Sequence, residues 1–187
     1  YGASSYITGS HAIRLGVQWG SGWIKSWRDA NGDMVQRYSN GVPNSVQRWN
    51  FPIPEARSNL DMLLGVFLQD SWTLKKLTLN PGIRYEAIRG SVPAQTAPAG
   101  RFVPARSFAA IENLPNWKGF APRMGAAYDL FGNGKTALKG SVGKYFQQEA
   151  TGFAAKYNPL QEGSDVVTWS DLNGDDIAQD NELGAAN

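Results

Sequence analysis

The chain reads as an all-β protein: an antiparallel meander forming part of a transmembrane β-barrel, with long extracellular loops and short periplasmic turns. Three observations predict this. Apolar residues recur at every second position over runs longer than the about 5–6 residues of an ordinary globular strand. The connections between these runs alternate long, short, long, short, long, the asymmetry of outer-membrane barrels. Aromatic side chains fall near the run ends, at Trp19, Trp23, Trp72, Tyr85, Tyr128, Tyr145 and Phe146, where rings would meet lipid headgroups.

The clearest strand is the third, Leu77 to Arg89. Leu77, Leu79, Pro81, Ile83, Tyr85 and Ala87 alternate with Thr78, Asn80, Gly82, Arg84 and Glu86. In a soluble sandwich the polar face of such a strand looks out to water and the apolar face in. In a membrane barrel the order inverts, apolar toward lipid and polar toward a wet lumen. Alternation alone fits either. The loop asymmetry favours the barrel. On a lipid face near the midplane each Arg or Lys would cost about 2–4 kcal/mol, so Arg84, Glu86, Arg123, Asp129 and Lys139 belong on the lumen side. Pro81 removes a ladder donor and calls for a bulge or a position whose N–H is unpaired.

The first strand is expected over His11 to Trp27, with Ile13, Leu15, Val17, Trp19 and Trp23 on one face. Asp29-Ala30-Asn31-Gly32-Asp33 then turns the chain, Asn-Gly being the strongest short hairpin signal. Met34 to Tyr38 reads as a return segment, followed by irregular loop to about Asn59, marked by Pro43, Pro52 and Pro54. The second long strand runs from Leu60 to Trp72, and Thr73 to Lys76 turn into the third. A connection from Gly90 to Ala121 is rich in Pro, Ala and Arg, and is long for a compact domain. Pro122 to Leu130 and Lys135 to Gln147 form the fourth and fifth strands around a Phe131-Gly132-Asn133-Gly134 turn. The rest is expected as loop, with a short strand at Val166 to Trp169. This divides the chain into residues 1–148, a barrel segment of about five strands, and 149–187, an extracellular loop region. The start at Tyr1, mid-pattern and without a leader, reads as an internal piece of a longer protein.

Composition narrows the function. A net charge of +2 offers no nucleic-acid surface. Cysteine is absent, which excludes a disulfide framework and a thiolate zinc site. No run approaches the 18 apolar residues of a spanning helix, but a spanning strand needs only about 10 of alternating character.

Three segments resemble the TonB-dependent outer-membrane receptors. Val66-Phe67-Leu68-Gln69-Asp70-Ser71-Trp72 followed by Leu77-Thr78-Leu79-Asn80-Pro81-Gly82-Ile83-Arg84-Tyr85-Glu86 is similar to that family's FxQDxW and LTLNxGxRYE hairpin. Ala121 to Asp129 resembles its PRxGxxYD strand, and Gly134 to Tyr145 its GKTxLRxxxGxxY strand. Order and spacing agree over most of residues 60–147. The long loops look like the Oar-like type, which carries an N-terminal carboxypeptidase-regulatory-like domain. The resemblance implies a place in a Gram-negative outer membrane, contact with its lipid, and energy-coupled import of a scarce extracellular ligand. A full receptor has about 22 strands and a plug. No plug or TonB-contacting segment is recognisable here, so contact with the TonB complex would belong to the N-terminal part of the parent.

Asp171, Asn173, Asp175, Gln179 and Glu182 place oxygens at positions 1, 3, 5, 9 and 12 of a calcium-type loop, with the Ile177 carbonyl at position 7. Hard Ca²⁺ wants such oxygens, but Asp176 stands at position 6 where glycine is expected. The competing account is a solvated acidic loop with Asx turns. Asp29, Asn31 and Asp33 repeat only the start of the pattern and read better as a turn. Arg101, Arg106, Phe108 and Trp117 lie in the long middle connection, where guanidinium and ring could meet an extracellular ligand; plain loop packing is the alternative. His11, the single histidine, reads as a solvated turn residue. Asp70 and Glu86 read as lumen or turn carboxylates. No catalytic constellation emerges, so binding and gating are expected and bond making is not. The rival reading is a secreted, carbohydrate-binding-like β-sandwich module with a calcium-stabilised loop.

Overall fold

A computed structural model describes residues 1–161 and 163–186; residues 162 and 187, within the expected loop region 149–187, lie outside the described residues. The strands are β1 (Gly2–Thr8), β2 (His11–Arg28), β3 (Met34–Ser39), β4 (Val42–Trp49), β5 (Ile53–Gln69), β6 (Trp72–Leu74), β7 (Leu77–Ser91), β8 (Gln95–Ala97), β9 (Arg106–Phe108), β10 (Asn116–Asp129), β11 (Ala137–Gly143), β12 (Ser164–Trp169) and β13 (Leu183–Ala186). One short helix, α1, covers Gly152–Lys156. The chain divides into two compact units. One holds residues 1–23, 59–91 and 112–154, and the other 24–58, 92–111 and 155–187.

The first unit carries an antiparallel meander in the order β1-β2-β5-β7-β10-β11, with β6 pairing β2 and β7. The turns Gly9–Ser10 and Lys75–Lys76 are tight, and residues 130–136 close β10 onto β11. The connections from β2 to β5 and from β7 to β10 are long. Register places Val66, Tyr85 and Phe120 in one row, and Leu68, Ile83 and Pro122 in the next. Met124 with Val142, and Tyr128 with Leu138, continue the same face. This face is open: Phe120 is 59% exposed, Leu138 67% and Val142 75%. A sandwich would cover such a face with a second sheet about 10 Å away. An apolar surface this continuous suits hydrocarbon instead, and the inverted order holds.

Pro81 sits where the ladder breaks. Gln69 is the last β5 residue in register, opposite Gly82, and pairing resumes with Trp72 opposite Leu79. The Asp70 N–H donates to the Pro81 carbonyl at 2.9 Å. In an extended residue N–H and C=O point to the same edge, so the N–H that Pro81 lacks would also face this break.

The second unit has its own sheet, ordered β13-β12-β4-β3, and a small β8–β9 hairpin. Val46, Val167, Trp169 and Ala178 form one buried cluster. Phe51, Ile53, Ala56, Ala97 and Leu160 form another. Asn158 ties three segments together. Its Nδ2 donates to the Arg57 carbonyl and to Ser58 Oγ, and its Oδ1 accepts from Gln95 Nε2 and the Leu160 N–H.

Several expectations are corrected. β1 was not anticipated. The Met34–Tyr38 segment pairs with β4, not with the strand before it, around Asn40–Gly41, whose φ values of 52° and 77° suit a tight hairpin turn. The Asn31–Gly32 site is instead a single 3₁₀ turn. Residues 42–49 and 53–59, expected as loop, are strand. Pro43 had argued against β4, but it lies at the strand start, beside a register shift in the β3–β4 pairing. β10 begins at Asn116 rather than Pro122. The fifth strand ends at Gly143 rather than Gln147, and after residue 149 the expected short strand at Val166 to Trp169 lies within β12, while β13 was not expected.

Candidate functional site

The polar face of the first unit collects the charges that alternation assigned to it. Arg84 Nε donates to Glu86 Oε1 at 2.5 Å, and Arg84 Nη2 to Gln18 Oε1 at 2.9 Å. Gln148 Nε2 reaches the same Glu86 oxygen at 3.1 Å. The guanidinium lies over Gly65, where a Cβ would overlap it, and the Phe67 ring lies in the same way over Gly16. These side chains, with Tyr1, Gln69, Arg123 and Phe146, line a hollow of about 370 Å³. Sequence reasoning had placed Arg84, Glu86 and Arg123 on this face. It had set Phe146 among the strand-end rings at the lipid headgroups, whereas Phe146 lines the hollow, and it had no signal for Gln148; both lie beyond the end of β11. Phe146 packs against Gly119.

The middle-connection residues fall in different places. Arg101 Nη1 donates to the Gly32 carbonyl at 3.0 Å and Nη2 to Asp180 Oδ1 at 2.6 Å. Its guanidinium covers Phe102, whose ring also meets Arg48. Arg106 Nη2 donates to the Pro52 carbonyl at 2.9 Å. Phe108 packs on the Phe51 cluster. Those three belong to the second unit and have packing partners there. Trp117 belongs to the first unit, edge-on to Phe153 at 4.6 Å.

In the acidic loop, Asp171 Oδ1 accepts from the Gly174 and Asp175 N–H groups, and Oδ2 from that of Asp176. The Asp176 N–H, with those of Gly174 and Asp175, holds the Asp171 carboxyl below the usual carboxylate range. Asp175 Oδ1 accepts from the Ile177 N–H, and Asp175 Oδ2 from Gln179 Nε2 and Asn173 Nδ2. Asp176, at the sixth position, adopts φ 58°, a left-handed conformation that aspartate tolerates. Glu182 is buried. It accepts from the Leu172 N–H at 2.8 Å and from Trp169 Nε1 and the Gln179 N–H at 3.3 Å each. Among the described residues no three His, Cys, Asp or Glu side chains converge as a metal site.

His11 is not simply solvated. Its Nδ1 lies 2.6 Å from Asp70 Oδ2 and its ring stacks on Trp72 at 5.2 Å. Asp70 and Glu86 therefore have separate partners. Nearby in β2, Arg14 reaches the Tyr1 hydroxyl at 3.3 Å. In the second unit, Asp165 receives two hydrogen bonds from Arg48, which lower its carboxyl and raise the guanidinium.

The family model described as Outer membrane beta barrel domain matches residues 2–182. No curated protein and no solved structure matches the chain.

Proposed function

The chain belongs to the outer membrane beta barrel domain family and lies in the outer membrane, and on that premise we propose that it is part of a TonB-dependent receptor that binds and imports a scarce extracellular ligand. The observation that carries this reading is the pairing of receptor-like segments with a two-faced sheet. The 66–72 and 77–86 segments form adjacent antiparallel strands, apolar and open on one side and ion-paired on the other. A charged inner wall suits a wide, wet lumen in which a plug can move. A small barrel fills its interior with its own side chains. The work is binding and gating, with no bond made or broken, and outer-membrane lipid covers the apolar face. The secreted sandwich is not favoured, because its apolar face would be covered.

The test uses the full-length protein with the periplasmic domain of TonB. A complex that co-purifies and is lost when the N-terminal contacting segment is deleted supports the reading. A full-length protein with no such contact is a barrel of another kind, and the transport reading falls.

Calcium is a second, separate proposal. It is favoured by the left-handed φ at Asp176, which answers the lack of glycine there. Asp171, Asn173, Asp175, Gln179, Glu182 and the Ile177 carbonyl would supply the oxygens, and Glu182 would have to leave Trp169 and Leu172 to join them. Calorimetric titration of the full-length protein with Ca²⁺ tests it. A saturable heat that is lost in Glu182→Gln supports it. No heat at millimolar Ca²⁺ leaves the loop as a set of Asx turns.

A further inference from the structure

Among the described residues that line the hollow on the polar face, one cation has no carboxylate partner. Arg123 stands between Gly82 on one neighbouring strand and Gly143 on the other, in register with both. Glycine at Gly143 gives Arg123 and Tyr145 their room: a Cβ there would lie 3.2 Å from Arg123 Cγ and 3.3 Å from the Tyr145 ring. Its guanidinium carbon lies over the Tyr145 ring, 4.6 Å from the centroid. A cation held over a ring face keeps N–H groups that can still donate to an oxyanion. Across Gly82 in the same row stands Gln69, whose Cβ lies 3.3 Å from where a Gly82 Cβ would be. Among the described residues that line the hollow the one carboxylate, Glu86, is committed to Arg84 and Gln148. The hollow therefore carries one positive charge in excess, together with an amide and the rings of Phe67 and Phe146.

We propose that this hollow binds a small solute bearing a carboxylate or phosphate group, with Arg123 as the anion contact and Gln69 as a second hydrogen-bonding group. Its volume of about 370 Å³ falls within the range of small-molecule sites. A guanidinium fork matches two oxygens of an oxyanion at once, which an ammonium does not. The rings offer flat apolar surface to the remainder of the solute. The proposal rests on the receptor reading for its purpose, since it gives the charge class of what the barrel admits, but its test is equilibrium binding and needs no energy coupling. Failure of TonB contact with intact binding would remove transport alone. Failure of binding with intact TonB contact would remove this site alone.

The test is calorimetric titration of the full-length protein, purified in detergent, with citrate, with inorganic phosphate, and with glucose as a neutral control. Saturable binding of an anion and none of glucose is expected; citrate alone or phosphate alone assigns the oxyanion type. Arg123→Gln should weaken that binding about tenfold or more, and Arg123→Lys should restore part of it. Lys139→Gln removes the same charge from the same face opposite Ala127, outside the hollow, and should change affinity less than about twofold. Each protein is first checked for the gel mobility of a folded barrel. Absence of anion binding overturns the proposal, as it would if an acidic side chain from elsewhere in the full protein already covered Arg123. Equal losses in Arg123→Gln and Lys139→Gln also overturn it, because the effect would then be the general field of the wall. If Arg123→Gln fails to fold, the side-chain ¹⁵N–H resonance of Arg123 in the wild-type protein decides: it must shift with citrate or phosphate and not with glucose.

Discussion

Arg101 donates to Asp180 at 2.6 Å and ties the middle connection to the end of the acidic loop, a loop-packing contact. Both groups are partly or largely exposed, and an exposed pair contributes at most about 1 kcal/mol. A double-mutant cycle on Arg101→Ala and Asp180→Ala should return a coupling below about 1 kcal/mol in urea unfolding of the second unit. A coupling well above that would mean the pair is a principal clamp of the loop.

The open apolar face gives the sharpest contrast between membrane and water. Val142 points to that face, and Ser141 to the polar one beside Gly125. In a bilayer, Val142→Lys should cost up to about 2–4 kcal/mol of the folding free energy obtained from urea titration, and Ser141→Lys less than about 1 kcal/mol. In a water-soluble fold a lysine at so exposed a position would be nearly neutral. Equal effects at the two positions would contradict the assignment of faces.

Gly65 is the seat of the Arg84 guanidinium. Gly65→Ala should lift Arg84 away from Gln18 and Glu86 and destabilise the first unit by about 1–3 kcal/mol. Replacing Arg84 as well should recover part of that loss, which separates crowding from strand propensity. No recovery in the double variant would place the cost elsewhere.

Asn158 joins residues 57–58, 95 and 160 with its amide, and is itself buried. Asn158→Ala leaves several buried polar groups without a partner, each costing about 1–3 kcal/mol. The expected result is a loss of about 3 kcal/mol and faster proteolysis within 92–111 and 155–161, with the first unit still protected. Uniform loss of protection would show that the two units unfold together.

Asp171 sets an acid limit on its loop. Its carboxyl is held below the usual range by backbone N–H donors, so its contribution is fully present above the ordinary carboxylate value of about 3.9 and is lost as pH falls through the depressed one. Hydrogen exchange of Gly174, Asp175 and Asp176, corrected for the intrinsic rate, should be unchanged from pH 7 to about pH 4 and rise below it. Asp171→Asn should flatten that response. A response centred near pH 6 would point to another group.

Period-two alternation determined which side chains share each face of the first unit. Side chains point to opposite faces whatever a strand pairs with, so Arg84, Glu86 and Ile83 were placed by their spacing alone. The long strands His11–Arg28 and Leu77–Ser91 were legible for the same reason, and the loop asymmetry pointed to the outer membrane. Pairing and side-chain partners were decided only in three dimensions. The sequence reading set the hairpin at Asn31–Gly32, and the fold sets it at Asn40–Gly41, where β3 pairs β4 and β4 in turn pairs β12. Arg101, Arg106 and Phe108 carry the residue types of a binding site, yet Asp180, Pro52 and the Phe51 cluster lie far from them in sequence and near them in the fold. Arg123 is the converse case. Its charge was visible in the chain, but its lack of a carboxylate partner follows from the glycines that register sets on either side of it.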